Sequence, residues 1–81
     1  MKKVIIQPKA AKALCKMLSN EARRVRAKID EYAANPVSLA NNVSTFKGRP
    51  GIRLRVGDWR VIMEDDVVVD VLEIRPRGSI Y

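Results

Sequence analysis

The sequence predicts one small α+β domain of order β-α-α-β-β-β, a helical hairpin packed on a small twisted, mainly antiparallel sheet. Three observations carry that expectation. Apolar residues recur at three- and four-residue spacing up to Tyr32, the period changes to two after Ile52, and Gly57-Asp58 interrupts the alternating part as a two-residue turn does. A chain of 81 residues is expected to form a single domain spanning 1–81.

Taken in order, residues 3 to 6 read as a short β-branched strand closed by Gln7-Pro8, with the proline placed to open a helix. Ala10, Ala13, Leu14 and Met17 then mark one face of a helix over 8 to 18, with Lys9, Lys12 and Lys16 on the other. Ser19 and Asn20 offer N-cap oxygens for a second helix. Its buried stripe is Ala22, Val25, Ile29 and Tyr32, and it ends before Asn35-Pro36.

Residues 36 to 50 carry Asn41-Asn42, Gly48 and Pro50 and read as a connecting loop, with Leu39, Val43 and Phe46 pinned to the core. Ile52-Arg53-Leu54-Arg55-Val56 and Trp59-Arg60-Val61-Ile62-Met63 form the hairpin. The run from Val67 to Ile74, apolar on nearly both faces, reads as a central strand. Trp59 and Tyr32 are expected in the core, and Cys15 as a small buried hydrophobe.

The charge balance narrows function. Sixteen Lys and Arg against nine Asp and Glu give +7, with no His and one Cys. That composition leaves no internal disulfide, no zinc set and no histidine base. No apolar stretch is long enough for a signal-peptide core or a bilayer span, so a cytoplasmic location and no membrane partner are expected. The basic groups cluster in the first 28 residues and again from Lys47 to Arg60, a distribution that suits a polyanion. The alternative is a solubilising surface.

A two-residue turn at Gly57-Asp58 sets Arg55 opposite Arg60, with Arg53 on the same face and Ile52, Leu54, Val56, Trp59, Val61 and Met63 on the other. Like charges directly opposite are destabilising. The cluster therefore points to an anion site. Two plainer readings stand beside it: Asp70 opposite Arg60 as an ion pair, which keeps Val67, Val69 and Val71 on the core face, or an edge strand charged against aggregation. For Lys9, Lys12, Lys16, Arg23, Arg24, Arg26 and Lys28 the plainer reading is a solvated helix face. The tail adds Arg75, Arg77 and a terminal Tyr81, the pairing of cation and ring that suits single-stranded RNA.

The stretch Phe46-Lys47-Gly48-Arg49-Pro50-Gly51-Ile52-Arg53-Leu54-Arg55-Val56-Gly57-Asp58-Trp59-Arg60-Val61-Ile62, with residues 69 to 74 and Arg77-Gly78-Ser79-Ile80-Tyr81, resembles the RelE/ParE superfamily of bacterial toxins. The resemblance implies a toxin of a type II toxin-antitoxin system, neutralised by a cognate antitoxin and meeting operator DNA through it. For the RelE-like branch it implies a ribosome-dependent endoribonuclease that cuts mRNA in the A site by attack of the RNA's own 2′-hydroxyl, with no metal or cofactor.

Carried over by position, the catalytic set is Arg53, Arg55, Arg60, Arg75, Arg77 and Tyr81. Lys9, Lys12, Lys16, Arg23, Arg26, Lys47 and Arg49 would contact mRNA and ribosomal RNA. Many active relatives have Lys where Arg53 and Arg55 stand; an arginine stays protonated and clamps phosphate instead of taking a proton. The same superfamily holds ParE-like inhibitors of DNA gyrase, and a catalytically inactive partner or co-repressor is a third reading.

Overall fold

The computed structural model describes residues 1–76, in which β1 (Val4–Ile6), α1 (Pro8–Lys16), α2 (Ser19–Ala34), a 3-10 segment (Pro36–Asn42), β2 (Val43–Thr45), β3 (Ile52–Val56), β4 (Trp59–Asp65) and β5 (Val69–Pro76) follow one another. Among the described residues the sheet has five strands in the order β1-β5-β4-β3-β2, antiparallel except for β1 beside β5. This is the expected α+β architecture with one strand and one short 3-10 segment more than the sequence suggested.

The region read as a loop is where the additions fall. Leu39 is buried and fixes the 3-10 segment against the core. Val43, half-buried on the same core, then leads a three-residue edge strand whose Ser44 pairs with Arg53. Three residues after Asn41-Asn42 carry too short a pattern to be read as a strand.

Pro8 opens α1 as expected, since the first helical position needs no N–H. The preceding Gln7 does not cap it; its side-chain amide donates to Asp70 at 2.7 Å and ties the strand end to β5. α2 starts at Ser19 with Leu18 as its N-cap, so Ser19 lies inside the helix and Asn20 accepts only from the adjacent Glu21 N–H at 3.0 Å. Glu21 instead receives the Trp59 indole N–H at 3.1 Å, joining the first turn of α2 to the start of β4.

Val25, Ile29, Tyr32 and Ala33 of α2 meet Leu54, Val56, Val61, Met63, Val69, Val71 and Ile74 of the sheet in one core. Cys15 and Val67 are exposed, contrary to the sequence expectation: Cys15 lies off the α1 face that Ala10, Ala13, Leu14 and Met17 turn to the core, and Val67 sits in the turn before β5. None of the helices is long and apolar enough to cross a membrane, among the described residues.

The Tyr32 phenol donates to Asp65 at 2.8 Å, and Lys2 donates to the other oxygen of the same carboxylate at 2.6 Å. Burial first, and then the adjacent carboxylate, push the phenol up to about 12. An unfolded phenol titrates near 10. Between about pH 10 and 12 the unfolded chain therefore releases a proton that the folded chain keeps, and stability falls as pH rises, by at most about 3 kcal/mol.

At the acid end the bond from Lys2, aided by Tyr32 and opposed by burial, holds Asp65 below the usual carboxylate range. That stabilisation is present above the ordinary Asp pKa and lost as pH falls through the lowered one. Melting temperature measured against pH should accordingly fall less above pH 10 in Tyr32→Phe than in the native chain. An identical alkaline limb in both would exclude Tyr32 as its origin.

Candidate anion-binding site

The hairpin register is the one the two-residue turn requires: Val56 faces Trp59, Arg55 faces Arg60 and Leu54 faces Val61. Gly57, at φ 56°, supplies the left-handed residue that opens the turn. Facing residues share a side of the sheet, so Arg53, Arg55 and Arg60 lie together on the side opposite the core, in which Leu54, Val56, Val61 and Met63 are buried.

The third strand of the site corrects one sequence expectation. Arg60 does not face Asp70; it faces Arg75, while Asp70 pairs with Glu64 on β4 and with Ile5 on β1. The main cause is the turn, which falls at 66–68 and not at 64–66, so that β4 runs on to Asp65 and the register moves by four residues; a bulge farther along moves it by one more. Ile62 pairs with Glu73 but Met63 pairs with Val71, which leaves Leu72 as an extra residue on β5. Val69 and Val71 point to the core, and beyond the extra residue it is Ile74 that does so, turning Glu73 and Arg75 to the open side. Three guanidiniums, Arg55, Arg60 and Arg75, thus form a row across three strands, with Arg53 one pleat away.

Asn41, Asn42, Val43, Ser44, Arg53, Arg55 and Arg60 line a cleft of about 310 Å3 on this face. Arg53 donates from Nε to Ser44 Oγ at 3.3 Å, and its guanidinium stands 5.6 Å from the Phe46 ring centre. Arg60 donates only to the backbone carbonyls of Gly57 and Trp59, at 3.3 and 3.2 Å. Among the described residues no carboxylate lies within ion-pair distance of Arg53, Arg55 or Arg60. Arg75 is different: its Nε meets Glu73 at 2.9 Å, and Glu73 also takes Lys9 of α1 at 3.1 Å. Guanidinium groups held side by side without counter-charge form a fork that fits the oxygens of a phosphodiester.

The other predicted contact residues are spread more widely. Lys12, Lys16 and Arg23 are exposed on the helices, and Arg26 pairs with Asp30 at 3.3 Å. Lys47 and Arg49 lie between β2 and β3, where the Arg49 guanidinium sits 4.3 Å over the Phe46 ring. Arg77 and Tyr81 lie outside the described residues. Asn41, Asn42 and Ser44 were missed by sequence reasoning; the β-branched pair around Ser44 was the available signal for the edge strand that brings them in.

The fold has solved counterparts. A chain of the archaeal RelE-RelB complex from Pyrococcus horikoshii OT3 superposes with a TM-score of 0.80 at 29% identity, over 98% of each chain. This chain is RelE-like. The isolated E. coli RelE toxin matches 99% of the RelE-like chain and 88% of its own at a TM-score of 0.78 and 17% identity. A chain of the intact E. coli RelBE toxin-antitoxin complex matches at 0.72 and 21%, over 99% of this RelE-like chain and 100% of its own. At those two identities the likeness is one of fold. No family model and no curated protein matches the sequence.

Proposed function

We propose that this RelE-like chain is the toxin of a type II toxin-antitoxin system and acts as a ribosome-dependent endoribonuclease on mRNA in the A site. The observation that carries the reading is the row of Arg55, Arg60 and Arg75 across three strands, with Arg53 beside it and no counter-charge on Arg53, Arg55 or Arg60 among the described residues.

In this reading the 2′-oxygen of the substrate attacks the adjacent phosphorus and the bond to the 5′-oxygen breaks. A 2′,3′-cyclic phosphate and a free 5′-hydroxyl result. Negative charge grows on the non-bridging oxygens as the fifth bond forms, and guanidiniums already held in place stabilise that charge without reorganising. Arginines remain protonated at the working pH, so they clamp and stabilise and do not take the 2′-proton. Tyr81 is assigned stacking on a base and a share in proton transfer, with Arg77 as a further phosphate contact. The solved RelE-RelB and RelBE complexes support an antitoxin as the partner, and the net charge of +7 suits an acidic one.

Primer extension on a message in a purified translation system, with and without ribosomes, tests the proposal. Cuts within A-site codons that appear only with ribosomes are the expected result. Intact message with unimpeded translation would overturn it and favour the gyrase-inhibitor reading, which a supercoiling assay then decides.

A further inference from the structure

A second depression, of about 210 Å3, lies where α2 approaches β3, lined by Arg24, Lys28, Asn42, Leu54, Arg55 and the backbone of Gly57. Asn42 and Arg55 also line the larger cleft, so the two depressions share a wall. Arg24 and Lys28 stand one helical turn apart on one face of α2, a like-charge spacing that weakens a helix. Arg24 has no carboxylate within ion-pair distance among the described residues, while Lys28 meets Glu31 at 3.1 Å. Three cations therefore border this space with one carboxylate among them.

The hairpin turn touches the same arginine. Gly57, a glycine because of its positive φ, carries the Arg24 guanidinium against its Cα, where a Cβ would have to displace that side-chain end. We infer that Arg24, Lys28 and Arg55 form a second phosphate subsite, which takes the phosphodiester next to the one held by the arginine row on a single-stranded polyribonucleotide. Two anion positions sharing one arginine suit a chain that carries a charge on every repeat unit. The inference rests on the phosphate-binding reading of the larger cleft.

NMR of the arginine Nε–Hε groups tests it, using a 2′-O-methyl tetranucleotide that cannot be cleaved. The Arg24 and Arg55 signals should both move on titration, and Arg24→Ala with Lys28→Ala should weaken binding about tenfold and flatten its dependence on log salt by about 0.7 to 1.4. A still Arg24 signal while Arg53, Arg55 and Arg60 respond would overturn the subsite and leave the proposed function standing. Movement of Arg24 without Arg53 or Arg60 would overturn the arginine row as a phosphate site and, with it, a subsite defined as its neighbour. A polyglutamate peptide that shifts Arg24 at lower concentration than the oligonucleotide would overturn RNA as the occupant.

Discussion

Arg60→Ala is expected to lower ribosome-dependent cleavage about 100- to 1,000-fold, the usual cost of removing one group aimed at the charge of a transition state, while leaving the fold intact. Arg60 is the middle of the row, facing Arg55 on one side and Arg75 on the other. Its own bonds are two long contacts to backbone carbonyls, at 3.2 and 3.3 Å. Removing it relieves two like-charge oppositions, each worth a few tenths of a kcal/mol, and forfeits contacts of similar size. The melting temperature should therefore hold or rise slightly. Primer extension gives the first quantity and a thermal melt the second. Full cleavage by the variant would remove the arginine row from the mechanism, and a large fall in melting temperature would make Arg60 a structural residue.

The part of this site that was legible in the sequence is the part governed by local rules. A glycine-led two-residue turn fixes the register of the strands it joins, so Arg55 opposite Arg60 followed from counting, and strict alternation put Arg53 on the same face. Arg75 could not be placed that way. The run from Val67 to Ile74 is apolar at nearly every position, so either face could be the buried one, and the extra residue at Leu72 leaves no mark in such a run.

Asp70 was expected opposite Arg60 because the acidic run 64–66 reads as the loop; the turn falls two residues later, at 66–68, and sets Asp70 opposite Glu64 instead. The ion-pair reading of Arg60 fails with it. Ser44 and the two asparagines were hidden for another reason: a three-residue edge strand is held by its partner and by Val43 in the core, and little of that is encoded in its own pattern. Helix positions were legible and helix caps were not, because Ser19 competes for a role that the chain path gives to Leu18.

Leu54→Ala should have the reverse effect of a substitution at its neighbour Arg55. Leu54 is fully buried, faces Val61 on β4 and Val43 on β2, and lies beneath the strand that carries Arg53 and Arg55. Truncating a buried leucine costs about 3 kcal/mol through lost burial and the cavity left behind. In a domain of this size that lowers the melting temperature by roughly 12 to 24 °C. Below the new transition, cleavage per folded molecule should stay within a few-fold of the native chain, because the guanidiniums belong to residues that point the other way. A melting temperature within a few degrees of native would mean that the core does not support the strand at Leu54. Normal stability together with lost cleavage would mean that the two faces of β3 are coupled, so adjacent residues of one strand separate the scaffold from the site it presents.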